Sequence, residues 1–255
     1  TASAKSSIFS ITSAVPRRKS RDGFAGVIKQ AMAEYVDTAA AEGRLTAYFD
    51  RIGEVLGSPE RRASFATYAM GILGEGERKS IEPMVARACP VPGKMDAAHQ
   101  RLLHFTVDSP WSDGDVRRAA ARYALDAMTA RDPVDAWILD DTGFLKQGTH
   151  SVGVQRQYTG SAGKVTNCQV ATSLTIATRT DQVPIDFALY LPKTWTDDPA
   201  RRAEARIPWQ VDFATKPQLG LELIRRALAA GVPPGLVLAD QAYGTSGEFR
   251  DGIRA

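Results

Sequence analysis

Two short runs, Trp137-Ile-Leu-Asp-Asp-Thr142 and Leu236-Val-Leu-Ala-Asp240, constrain this chain most. Each is an apolar, strand-like stretch that delivers a carboxylate at its C-terminal end. Neighbouring strands lie about 4.8 Å apart, so two such ends side by side can share or bridge divalent cations. Taken singly, each Asp also reads as an ordinary cap of a turn or a following helix. The segments between the runs decide whether the two ends can meet.

From Thr166 to Thr178, Val170, Thr172, Leu174 and Ile176 alternate with Gln169, Ala171, Ser173 and Thr175, which is strand periodicity. Val183 to Leu191 reads as a further strand stopped by Pro192, and residues 193–215 as polar and irregular. Pro217 to Ala230 is amphipathic through Leu223, Ile224, Ala227 and Leu228, with Gly231 and Pro233 as a helix stop. With Ala136–Leu139 as the first strand and Leu236–Ala239 as the last, the order is β-β-β-α-β. A strand–helix–parallel strand connection is right-handed. If the first three strands meander and the last lies parallel beside the first, both acids reach one sheet edge. That is the start of a ribonuclease-H-like core.

Upstream the pattern is helical. Phe24 to Ala41 has apolar residues at helical spacing, and Leu45, Phe49, Ile52 and Leu56 suit a second helix. Ser58-Pro59 opens a third, weakened at its end by Gly71, Gly74 and Gly76. Met95 to Val107 forms another. Ser112-Asp-Gly-Asp115 resembles a capping box ahead of an amphipathic helix bearing Arg117, Arg118 and Arg122, with Arg131 just beyond. Those arginines form either a solvated face or a phosphate-contacting one. The expected fold class is therefore α/β. Residues 1–21 are a flexible basic tail, 22–134 an all-α region, and 135–255 the ribonuclease-H-like core.

Composition narrows the class. The 255 residues are 44% hydrophobic and 24% charged, as in ordinary globular proteins. No apolar run is long enough to span a bilayer. The formal net charge is +3, with 32 basic residues; that is compatible with nucleic acid and equally with Arg-rich coding. Cys89 and Cys168 match no zinc spacing and read as reduced thiols of a cytoplasmic protein. His99, His104 and His150 form no metal motif, and Trp111 reads as a packing anchor. Gly160-Ser-Ala-Gly-Lys164 lacks phosphate-loop spacing and reads as a turn. Asp140-Asp-Thr142 lacks the D-x-D of haloacid-dehalogenase phosphatases. The chemistry-bearing residues are thus Asp140 or Asp141 together with Asp240, whose oxygen ligands favour Mg²⁺ or Mn²⁺ over zinc. Glu248 is a third acid by count, or a residue decorating the helix after Tyr243-Gly244.

Longer blocks carry a resemblance. Asp140-Asp-Thr-Gly-Phe-Leu-Lys-Gln-Gly148, Ser151-Val-Gly-Val154, Arg156-Gln-Tyr-Thr-Gly160, Gly163-Lys-Val-Thr-Asn-Cys-Gln169 and Leu238-Ala-Asp-Gln-Ala-Tyr-Gly244 resemble DDE-superfamily transposases of bacterial insertion sequences. The similar branch has its last acid in a Tyr-x2-Arg-x3-Glu-x6-Lys signature. The resemblance runs from about residue 104 to 247. It implies a ribonuclease-H-like fold with two Asp and one Glu binding Mg²⁺ (or Mn²⁺), and a DNA-end-binding role for the helical region. It points to Asp141 over Asp140, with Asp240 second, as catalytic and metal-binding. No Tyr-x2-Arg-x3-Glu-x6-Lys occurs in the 255 residues, so the third acid is expected beyond Ala255 and the core incomplete at its C-terminus.

The activity so implied is Mg²⁺-dependent cleavage at the ends of an insertion sequence, followed by 3′-hydroxyl transfer into target DNA. Lys146, Arg156, Lys164 and Asn167 are the candidate DNA contacts. Expected partners are double-stranded DNA and a second copy of the chain bound on it, in a cytoplasmic, nucleoid-associated setting with no membrane. Two other readings stand beside this one: a transposase-derived DNA-binding protein without catalysis, and a metal-dependent phosphatase or other hydrolase of small molecules.

Overall fold

The computed structural model describes residues 38–76, 78–88 and 93–255. The basic tail and most of the Phe24–Ala41 helix lie outside the described residues. The chain divides into two compact units, meeting at residues 105 and 106.

In the first unit the described elements are helices: α1 (Thr38–Leu56), α2 (Pro59–Leu73), α3 (Ile81–Ala88) and α4 (Met95–Val107), which runs past the boundary. The expected break between Ala41 and Leu45 is absent, because α1 continues through it. Gly57, at φ +80°, lets the chain turn out of α1. Ser58 then caps α2 by accepting from the Arg61 N–H, with Pro59 in its first turn. Phe49 of α1 meets Phe65 of α2 edge-on at 5.7 Å. Gly71 does not weaken a helix end. It is buried on α2, where a Cβ would come within 2.8 Å of Met84 on α3. Its missing side chain is what lets the two helices approach.

The second unit is mixed α/β, consistent with a ribonuclease-H-like domain. Its elements are α5 (Asp113–Thr129), β1 (Ala136–Leu145), β2 (Gln155–Thr159), β3 (Lys164–Ala177), β4 (Gln182–Leu189), α6 (Lys193–Thr196), α7 (Pro199–Glu204), α8 (Lys216–Ala229), β5 (Leu236–Ala239), α9 (Gln241–Gly244) and α10 (Gly247–Arg254). The five-stranded sheet runs β2-β3-β1-β5, and β4 also pairs with β3. β1 is antiparallel to β3 and parallel to β5, as the strand order requires. Three expectations need correction. β1 does not end at Leu139, since it pairs with β3 as far as Leu145↔Cys168. β2 is an additional strand. Residues 193–215, expected to be irregular, contain α6 and α7.

The unit's core is built on one face of the sheet. Trp137, Leu139, Leu174 and Ile176 pack with Leu221, Leu223 and Ile224 of α8 and with Tyr243 and Phe249. Trp137 also donates from Nε1 to the Pro233 carbonyl at 2.8 Å, tying the start of β1 to the α8–β5 turn. Helix α5 belongs to this unit, although it falls in the stretch read as the helical region. Its Arg117 pairs with Asp186 of β4 and donates to the Phe187 carbonyl at 2.8 Å. Arg226 of α8 holds the other oxygen of Asp186 at 2.9 Å. Arg117 is therefore a structural tie rather than a solvated or phosphate-facing residue, and Arg118 pairs with Asp115.

Helix α8 positions the acids, and its start is locally encoded. Thr215 Oγ1 accepts from the Gln218 N–H, and Gln218 Oε1 accepts from the Thr215 N–H, a reciprocal cap. Thr215→Ala removes one half of it and is expected to cost about 1 kcal/mol, measurable by urea denaturation. Among the described residues, no helix is long and apolar enough to cross a membrane.

Candidate active site

The last β1–β5 pair is Leu139↔Ala239, so Asp140 and Asp240 each follow directly on the end of that ladder. The parallel pairing thus brings the two sequence-predicted runs to one rim. Asp240 has extended backbone, φ −72° and ψ 176°, and begins α9. Its Oδ1 accepts from the N–H groups of Ala242 at 2.9 Å and Tyr243 at 3.3 Å. Asp240 therefore does cap a helix, but the residue stays exposed.

Alternation along β1 separates the tandem acids. Trp137, Leu139 and Asp141 share the core face, while Ile138 and Asp140 share the other with Leu238 of β5. Leu238 is 44% exposed, so that face is open to solvent at the rim. Asp140 is exposed, and its Oδ1 accepts from the Asp141 N–H at 2.7 Å.

Asp141 is enclosed by partners. Its Oδ1 accepts from the Tyr243 hydroxyl at 2.6 Å and from Thr172 Oγ1 at 3.2 Å. Its Oδ2 pairs with Lys216 Nζ at 2.8 Å, at the first turn of α8. Burial pushes the Tyr243 phenol far above its ordinary value, and donation to Asp141 raises it further. That direction keeps the phenol protonated at neutral pH, as a donor to Asp141. Lys216 also lies 5.7 Å from the centre of the Tyr190 ring. Neither Lys216 nor Tyr243 was legible as part of the site beforehand, although Tyr243 falls in the block Leu238–Gly244.

Glu248 does not join the acids as a free ligand. It sits in the first turn of α10 and accepts from Gln218 Nε2 at 3.2 and 3.3 Å. Among the described residues, no group of three or more His, Cys, Asp or Glu side chains is gathered for a metal. His150 is exposed beside Glu204. Cys168 is buried and free, and burial raises its thiol pKa, so it reads as an inert core thiol. Cys89 lies outside the described residues. Trp111 is buried, as a packing residue should be. A pair of carboxylates does suit Mg²⁺, which keeps several waters and is held by one or two carboxylates plus substrate phosphates.

The four expected DNA contacts separate. Asn167 Nδ2 donates to the carbonyls of Lys146 and Gly148, both at 2.9 Å, so its amide hydrogens serve the loop after β1. Arg156 and Lys164 are both exposed. They lie on opposite faces of the β2–β3 hairpin, because Arg156 pairs with Asn167 while Lys164 pairs with Thr159. The Lys146 N–H donates to the Asn167 carbonyl at 3.0 Å, closing the ladder beyond β1. Gly160 to Gly163 forms the hairpin turn, with Gly163 at φ +64°. A cavity of about 620 Å³ between α5, β4 and α8 is lined by Arg117, Arg122, Asp186 and Arg226, not by the rim acids.

Comparison with known proteins identifies the family. The chain is 28% identical over 185 residues to a probable transposase for insertion sequence element IS701 from Microchaete diplosiphon. That match covers 72% of this chain and 44% of the relative, so the chain spans less than half of that protein's length. The family model described as DDE superfamily endonuclease matches residues 51–255. The chain belongs to the DDE superfamily of endonucleases.

Proposed function

We propose that this chain supplies the first two acids of an insertion-sequence transposase that cleaves DNA at the element's ends and transfers the freed 3′-hydroxyl into target DNA. The observation that carries this reading is the parallel β1–β5 pairing, which sets Asp240 beside the Asp140-Asp141 pair in a chain of this family. Asp240 and one of the tandem acids would hold Mg²⁺ or Mn²⁺. When bound, such an ion activates the attacking oxygen and stabilises charge on the transferring phosphoryl group. The chain's own part is to fix the carboxylates. Asp240 is oriented by the α9 N–H groups, and the β1 pair by the sheet and by α8. The exposed Arg156 and Lys164, with Lys146, are available to DNA phosphates. The relative's description as a transposase supports DNA as the substrate, and two element ends held together call for a dimer on DNA.

The test is cleavage of duplex DNA carrying an element end by the full-length gene product. Nicking is expected with Mg²⁺, to vanish on chelation and to return when the ion is restored. Salt-dependent DNA binding with no cleavage under any divalent ion would favour a non-catalytic DNA-binding protein. Turnover of small phosphate esters without DNA affinity would favour a hydrolase.

A further inference from the structure

The tandem acids have different surroundings. Asp141 has both oxygens engaged, and its charge is balanced by Lys216 at 2.8 Å. Those partners come from three places: Thr172 on β3, Lys216 at the start of α8, and Tyr243 in the helix that Asp240 caps. Asp141 therefore fastens β1 to the turn carrying Asp240. The same α8 turn reaches α10 through Gln218 and Glu248. Asp140 faces the other way, on the open side with Ile138 and Leu238, and Asp240 directly follows the last pair of the β1–β5 ladder. Among the described residues, no Lys or Arg forms an ion pair with Asp140 or Asp240. Two like charges at adjoining positions on neighbouring strands repel, and a divalent cation between them would offset that repulsion.

We propose that Asp141 is a positioning residue rather than a metal ligand. Through Tyr243 and Lys216 it holds the rim so that Asp140 and Asp240 face the ion. This inference rests on the metal-dependent reading above and goes further by dividing the tandem pair. A carboxylate already accepting from an ammonium, a phenol and a threonine hydroxyl has less free lone-pair capacity, and less uncompensated charge, to offer a cation. The Asp140 carboxylate accepts from its neighbour's N–H alone among the described residues. The sequence resemblance favoured Asp141, but adjacency to Thr142 does not reveal which face of β1 a carboxylate takes.

The experiment is a Mn²⁺ titration of the full-length gene product, followed by electron paramagnetic resonance, with a thermal unfolding scan of each variant. Asp140→Asn and Asp240→Asn are each expected to weaken binding roughly a hundredfold. Asp141→Asn and Tyr243→Phe should weaken it by less than about tenfold, as supporting residues do. Combined, those two should cost little more than either alone, because they cut the same tie. Equal losses in Asp141→Asn and Asp240→Asn, with Asp140→Asn unaffected, would overturn the inference and leave the functional reading standing. So would unchanged affinity in Tyr243→Phe, the variant that carries the test should Asp141→Asn not fold. Full affinity in Asp240→Asn, or no Mn²⁺ binding by the wild type, would overturn both.

Discussion

Asp240→Asn is expected to lower the proposed Mg²⁺-dependent strand cleavage by the full-length gene product roughly a thousandfold, with its fold intact. A bound metal ion contributes several kcal/mol of charge stabilisation in phosphoryl transfer, which loss of a ligand carboxylate forfeits, and each 1.36 kcal/mol is about tenfold in rate. Asparagine is a sound control here. Its side-chain oxygen still accepts from the Ala242 and Tyr243 N–H groups, and Asn caps helices about as well as Asp. The start of α9 survives, and with it the burial of Tyr243 in the core. Only the negative charge is lost. An Asp240→Asn protein that unfolds like the wild type and still nicks DNA within about tenfold of the wild-type rate would remove Asp240 from the chemistry. In that case its carboxylate is merely the cap that a single Asp after a strand so often is.

Much of the second unit was readable because its burial follows simple periodicities. Alternation in Thr166–Thr178 marks β3, and the apolar stripe of Leu223, Ile224 and Ala227 marks α8. The β1–β5 neighbourhood was one arrangement that the β-β-β-α-β order and a right-handed crossover allow, and the pairing agrees with it. β2 escaped notice because Gln155-Arg-Gln-Tyr-Thr159 carries no aliphatic residue, and its burial alternates without a hydrophobic signal. The second half of β1 was hidden for a related reason. Asp140, Asp141 and Thr142 break the apolar run, yet β3 supplies ladder partners straight through them. Pro184 on β4 sits where the β3–β4 register shifts, and β4 pairs with β3 alone, so the missing N–H is tolerated. Within the site, Asp240 stood out because a strand-terminal acid is a local pattern. Tyr243 was marked only as the aromatic three residues after Asp240, and neither its bond to Asp141 nor that of Lys216 could be read, since each forms only after the crossover through α8 folds back on the sheet. The bonds of Asn167 were hidden for the same reason: its carbonyl partners at 146 and 148 come from a loop distant in sequence.

Gly143→Ala is expected to destabilise the protein by about 3 kcal/mol, the upper end of what overpacking a tight interior costs. Gly143 lies on β1 two residues beyond Asp141, on the same sheet face. A Cβ there would stand 1.7 Å from Thr159 Oγ1 and 2.6 Å from Thr159 Cβ. Thr159 is 3% exposed and has little room to withdraw. Its hydroxyl lies 2.8 Å from Ser161 Oγ, which donates to the Gly143 carbonyl at 2.9 Å. The β2–β3 hairpin turn therefore rests directly on the backbone of β1, and glycine is required for that close approach rather than for an unusual φ. Thr159→Ala would not relieve the clash, because the remaining Cβ is itself too near. Thr159→Gly would. The double variant Gly143→Ala/Thr159→Gly should be less destabilised than the two single changes added together. Urea denaturation of the four proteins makes the comparison. A Gly143→Ala variant within about 0.5 kcal/mol of wild type, the range of an ordinary surface change, would mean that Thr159 and its turn do not press on the backbone of β1 at Gly143.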